Sequence, residues 1–193
     1  MNIVNSVILT GVGGQGILLA STILARTALL AGHDVKTNEV HGMAQRGGSV
    51  VAEIRYGPKV YSPLLSPMGA IALASLEQTE ALRYAHFLSP NGLAVVSRLR
   101  LIPTTVSSGM GKYPDDMEER LRRSFKNLKY IDAASAAERV GNPKTNNLVV
   151  LGSLSTGLDF PEGLWEKAIA ECVKPKFVDI NVQAFNMGRE LVA

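Results

Sequence analysis

The chain has 193 residues, 46% of them apolar, a formal net charge of +3 and one cysteine. That length holds one domain with a real core and leaves little room for a second. A single thiol excludes an internal disulfide, a cysteine-rich zinc site and an iron–sulfur cluster within the chain, and the mild, scattered charge leaves no footprint for nucleic acid.

Aromatic residues are scarce, so the core must be built from Ala, Val, Leu and Ile, which suits helices packed closely on a parallel sheet. The N-terminus lacks the charged-then-apolar pattern of a secretion signal, and no uncharged apolar run is long enough to span a bilayer. A cytoplasmic protein without membrane contact is expected. The basic cluster Arg120, Arg122, Arg123, Lys126 and Lys129 reads as the solvated face of a charged helix and its exit.

In chain order, Ser6 to Thr10 reads as a short buried strand. The glycine cluster Gly11-Val-Gly-Gly-Gln-Gly16 follows, then an apolar helix from Ile17 to Ala31 that Gly32 ends in a left-handed conformation. Val35 to Asn38 is a second strand, His41 to Gly48 a polar loop, and Ser49 to Tyr56 a third strand. The proline-bearing stretch from Gly57 to Pro67 is an irregular connection. Ile71 to Ala74 is a fourth strand, Glu77 to Leu88 a helix, and Asn91-Gly92 a turn into the strand Leu93 to Ser97. A loop over 101–113 leads to a charged helix that starts near Asp115 or Asp116 and ends near Phe125. Leu128 to Ile131 is a strand and Ala133 to Val140 a helix. Beyond Gly141 the spacing predicts helices over 146–156, 161–173 and 177–191, with Pro161 in a first turn and Pro175 between the last two. The whole of 1–193 is read as one Rossmann-like α/β domain, an open, mostly parallel sheet with helices on both faces and a helical C-terminal third.

Two segments carry chemistry. Gly11, Gly13 and Gly16 fit the G-x-G-x-x-G fingerprint between strand and helix, where the turn is tight and free N–H groups at a helix start attract phosphate. Glu39 lies about twenty residues further on, where a ribose-binding acid would stand. The same glycines also serve close strand–helix packing. Gln15 can donate to a phosphate or cap the turn. The second segment, Asn38-Glu-Val-His-Gly-Met-Ala-Gln-Arg-Gly-Gly-Ser49, places His41, Gln45, Arg46, Gly47 and Gly48 in one loop beyond a strand end. Arg46 beside two glycines suits a phosphate or a carboxylate. A dehydrogenase would need a catalytic set as well, and none is found: there is no Tyr-x-x-x-Lys, and His33, His41 and His86 have no partner acid by spacing.

Joined to each other, the loop Gly11-Val-Gly-Gly-Gln-Gly16 and the segment Glu39-Val-His-Gly-Met-Ala-Gln-Arg-Gly-Gly48 closely resemble the beta subunits of indolepyruvate:ferredoxin oxidoreductases, the gamma-type domain of the 2-oxoacid:ferredoxin oxidoreductase family. Glu77-Gln-Thr-Glu-Ala-Leu-Arg83 and Asn146-Asn-Leu-Val-Val-Leu-Gly152 look like the same family, so the resemblance spans about the whole chain. It implies a subunit of an enzyme that oxidatively decarboxylates a 2-oxoacid with coenzyme A, giving acyl-CoA, carbon dioxide and reduced ferredoxin. Thiamine diphosphate, magnesium and 4Fe–4S clusters would belong to a large alpha subunit. This chain lacks the Gly-Asp-Gly of a thiamine site, so Asn146-Asn147 reads as a helix start. The candidate binding set is Gly11, Gly13, Gly14, Gln15, Gly16, Gln45, Arg46, Gly47 and Gly48, which would either bind a phosphate-bearing ligand or hold a loop against the partner's active site, with His41 a weak catalytic candidate. Met43, Leu64, Leu65 and Met68 would anchor a subunit interface or lie in the core; the isolated chain, inactive by itself, could pair with a second copy. The competing reading is a stand-alone nucleotide-binding or sensor protein.

Overall fold

The computed structural model describes residues 3–42, 47–102 and 112–193. Its strands are β1 (Asn5–Val12), β2 (Asp34–His41), β3 (Ser49–Gly57), β4 (Ala70–Ser75), β5 (Leu88–Ser97) and β6 (Asn127–Ile131). They form one sheet in the order β2-β3-β1-β4-β5-β6. β1, β4, β5 and β6 pair in parallel, and β3 runs antiparallel to both β1 and β2. The β2–β3 connection is too short for a crossover, so the chain must return as a hairpin. The mostly parallel sheet expected from the sequence is present, with this one reversed strand inserted beside β1.

Side chains of the strands alternate between two cores. Val7, Leu9, Ile54, Ala72, Ala74 and Val95 face one side, and Ile8, Val51, Leu73, Ala94 and Val96 the other. The helices are α1 (Ile17–Leu30), α2 (Gln78–Arg83), α3 (Met117–Ser124), α4 (Ala133–Arg139), α5 (Asn146–Ser155), α6 (Glu162–Cys172) and α7 (Val178–Glu190). α1 and α5 lie on the first face under α4, α6 and α7, while α2 and α3 serve the second face. α1 buries Ile17, Ala20, Ile23, Leu24 and Ala28, a stripe at helical spacing. It stops as expected: Gly32 has φ of 85°, and the His33 N–H reaches back to the Ala28 carbonyl, closing a Schellman turn.

α5 is buried from Asn147 to Ser155. Full burial of Leu148, Leu151 and Leu154 contributes about 1.5–3 kcal/mol each. α5 crosses α7 closely, and Ser153 Oγ donates to the Gly188 carbonyl at 2.6 Å. Trp165 is fully buried between Phe160 and Phe185 and anchors α6.

The sequence reading departs from the structure between residues 77 and 97. The expected helix from Glu77 to Leu88 is only α2, followed by a 3-10 turn at Ala85–Phe87. Leu88 already pairs with Ala70, and Asn91-Gly92 lies inside β5 rather than in a turn. A register irregularity between Ala70 and Ala72 absorbs the extra residues. Gly92 fits there because a Cβ would stand 2.5 Å from the Leu88 side chain. Among the described residues no helix is long and apolar enough to cross a membrane.

Candidate functional site at the carboxyl edge of the sheet

β1 ends where α1 begins, and the two are joined by the glycine loop. Gly11 is buried in β1 opposite Val50, and a Cβ there would stand 2.6 Å from Gln15 Oε1. That space lets the Gln15 side chain fold back. Its Oε1 accepts from the Val12 N–H at 2.6 Å, and its Nε2 donates to the Leu76 carbonyl at 3.2 Å. Of the two roles open to Gln15, the structure shows the turn cap, which ties β1 to the exit of β4. Gly14 stands exposed at the loop tip with φ of 98°, and Gly16 has φ of 82°. Gly16 precedes α1 without any side-chain cap, so the first-turn amides of Ile17, Leu18 and Leu19 lack intrahelical acceptors. Such free N–H groups, together with the helix dipole, favour negative charge at a helix start.

The loop has a floor from far along the chain. Asn147, at the start of α5, is almost wholly buried, and its Nδ2 donates to the Gly16 carbonyl at 3.1 Å. Sequence spacing gave no hint of this contact.

The second loop meets the first. The Gly13 N–H donates to the Gly48 carbonyl at 2.8 Å, which joins Gly11–Gly16 to the β2–β3 hairpin. Gly47 has φ of 81°. His41 is the last residue of β2, paired with Val50. Met43, Gln45 and Arg46 lie outside the described residues. The return of this hairpin is pinned by Ser49 Oγ, which donates to Glu80 Oε2 and lies 3.2 Å from the Tyr84 hydroxyl.

α2 presents two buried acids at the same edge. Glu77, 2% exposed, accepts the N–H groups of Thr79 at 2.7 Å, Glu80 at 3.0 Å and Leu101 at 3.4 Å, and the Tyr113 hydroxyl at 3.0 Å. Such a carboxylate is satisfied as a cap and connector. Burial, aided by the neighbouring Glu77 charge, pushes the Tyr113 phenol up to about 12, so it stays a hydrogen-bond donor. Tyr130 OH donates to Gln78 Oε1 at 2.8 Å. Sequence reasoning quoted Glu77 to Arg83 for its resemblance but gave these side chains no role.

Glu39 sits on the edge strand β2, separated from β1 by β3, and accepts from Ser21 Oγ at 2.8 Å. It is placed to brace α1, not to reach a ribose at the glycine loop. Leu64 and Met68 are 63% and 64% exposed, whereas Leu65 packs on the second core. Cys172 is half-buried against the first core, and burial pushes its thiol up.

The fold and this edge define the class: an open α/β domain whose first helix starts at a glycine-rich loop tied to a neighbouring hairpin. The chain belongs to the pyruvate ferredoxin/flavodoxin oxidoreductase family, whose model matches residues 6–191. It is 42% identical to indolepyruvate oxidoreductase subunit IorB of Archaeoglobus fulgidus, covering 95% of this chain and 92% of that protein. Identity to IorB of Thermococcus kodakarensis is 40%, over 95% of this chain and 93% of the other. Among solved structures, the gamma subunit of a keto/oxoacid ferredoxin oxidoreductase from Geobacter sulfurreducens PCA superimposes with a TM-score of 0.72 at 23% identity, covering 97% of this chain and 98% of that one. A 2-oxoglutarate:ferredoxin oxidoreductase from Magnetococcus marinus gives 0.74 at 18% identity, with all of this chain matched to 31% of that longer one. These two structures share the fold.

Proposed function

We propose that this chain is the small subunit of an indolepyruvate-type 2-oxoacid:ferredoxin oxidoreductase, working with a large subunit that carries thiamine diphosphate, magnesium and 4Fe–4S clusters. The observation that carries the substrate class is the gradient of likeness. Identity is 42%, 40% and 39% to three subunits named for indolepyruvate and 30% to a fourth, against 30% to a 2-oxoglutarate synthase subunit and 27% to a common gamma subunit of pyruvate and ketoisovalerate enzymes, so the three highest identities all fall on the indolepyruvate type. The donor set supports placing the clusters elsewhere, since one thiol, half-buried on α6, falls short of the four that a 4Fe–4S cluster takes.

Within that enzyme the carboxyl edge is the working surface of this chain. The amides of Gly14, Gly16 and the first turn of α1 take a phosphate, and coenzyme A is the phosphate-bearing co-substrate. Gly11 and Gln15 shape the loop, and Gly13 with Gly48 fixes the hairpin beside it. Arg46, with Gln45 and Gly47, contacts a coenzyme A phosphate or the oxoacid carboxylate. His41 has a structural part. The chemistry of decarboxylation and electron transfer is the partner's, and ferredoxin meets the complex there.

The test is an anaerobic assay of the purified two-subunit enzyme, following viologen reduction with coenzyme A and a panel of oxoacids. Activity highest on indolepyruvate and other aryl pyruvates is expected, and preference for pyruvate or 2-oxoglutarate would overturn the substrate class. Arg46→Ala should raise the KM for coenzyme A or for the oxoacid about tenfold, the loss of one charge-assisted contact. Unchanged kinetics would remove Arg46 from the site.

A further inference from the structure

Arg98 and Arg100 follow β5 at the carboxyl edge, both exposed. The Arg98 guanidinium lies over the Tyr130 ring, 5.1 Å from its centroid, and that of Arg100 over Tyr113 at 4.0 Å. Each ring is held in turn, because the Tyr130 hydroxyl donates to Gln78 and the Tyr113 hydroxyl to Glu77, both at the start of α2. A guanidinium held over a fixed ring has already given up part of its freedom and loses less on binding.

Neither arginine has a carboxylate within ion-pair distance among the described residues. The nearby acids are already engaged. Asp132, which feels the Arg98 charge, accepts from the Ser135 N–H and Oγ at the start of α4, and Glu77 takes the four donors described above. By contrast Arg26, Arg83, Arg120, Arg122, Arg123 and Arg189 each face an acidic partner. Directly after the pair come Leu101 and Ile102, 38% and 56% exposed. Exposed ion pairs contribute little in open water, but aliphatic neighbours that exclude water strengthen them.

We propose that Arg98 to Ile102 is a docking strip for the large partner subunit, and that it receives a surface with two or more carboxylates flanked by apolar side chains. The unpaired charge of the strip specifies the acidic chemistry, and the exposed aliphatics specify the apolar rim. This rests on the reading of the chain as a small subunit. Docking there brings the partner over the glycine loop, so that a ligand held by its phosphate at Gly14 reaches the partner's cofactors.

The experiment uses the co-expressed complex of this chain with the large subunit from the same organism, and reads the dissociation constant at low and moderate salt. Wild-type affinity should fall with salt. Arg98→Glu with Arg100→Glu should weaken assembly at least tenfold, and Arg98→Gln with Arg100→Gln, which removes charge but little shape, by a smaller factor. Leu101→Ser with Ile102→Ser should weaken it without changing the salt dependence. Arg123→Glu, beside Leu88 and Ser89 at the opposite end of β5 from the strip, should assemble as wild type. Thermal unfolding of each isolated variant separates misfolding from lost docking, and the Gln pair decides should the Glu pair misfold. Equal affinity of wild type and arginine variants would overturn the strip, as would intact assembly with a raised KM for coenzyme A, which would assign the arginines to phosphate. A wild-type chain that pairs with no thiamine-dependent subunit would overturn the proposed function instead.

Discussion

Gly14 and Gly47 at the carboxyl edge, and Gly152 and Gly188 where α5 crosses α7, are required for opposite reasons. Gly14 and Gly47 have φ of 98° and 81°, and a Cβ on either would meet nothing within 4 Å. They are present for the backbone angle alone. Gly152 and Gly188 have ordinary helical backbone, but a Cβ on them would stand 1.9 Å from the Phe185 carbonyl oxygen and 2.0 Å from that of Val149. They are present for proximity. The lesson is that the edge can tolerate strain locally, whereas the crossing sets the distance between two helices that seal the core.

Substitutions can break or sharpen this contrast. Gly152→Ala or Gly188→Ala should have the largest effect, about 3 kcal/mol or more, since the clash is with backbone that only moves by parting the helices. The midpoint of urea unfolding checks it, and a loss similar to that at Gly14 would erase the distinction. Gly16→Ala should fall between, at about 2 kcal/mol, because left-handed strain is joined by a contact with Asn147 Nδ2 at 2.5 Å, the end of a side chain that can shift. Gly14→Ala should cost the least, about 1 kcal/mol, with the fold intact. Its expected signature is weaker coenzyme A binding by the complex, measured by calorimetry, beyond what the stability change explains.

Much of the frame was legible in the sequence because it follows from local rules. The strand–glycine–helix unit, the stop at Gly32 and the three C-terminal helices all declare themselves in apolar spacing and in Gly and Pro placement. The direction of β3 was legible only in the shortness of the 41–48 connection, which rules out a crossover, and not in its apolar pattern, which has no sense of direction. The span of α2 was misjudged because Glu77 to Leu88 carries helical spacing, while the pairing of Leu88 with Ala70 is a tertiary event. The site was half legible. Gly11 to Gly16 and the His41 segment were singled out, but Gln15 closing on Leu76, Asn147 beneath Gly16 and the buried acids of α2 all depend on contacts between distant residues. A glutamate normally reads as solvated, and only its surroundings reveal Glu77 as a connector.

All six strands have been made by Ile131, yet the side of the sheet that carries α1 is closed by α4 to α7, all of which come later. During synthesis the apolar surface of α1, β1 and β4 therefore waits while about sixty further residues are added, roughly 3–12 s at common ribosomal rates. The half of the molecule that looks most solid once finished is the half most open to wrong associations while the chain is being made.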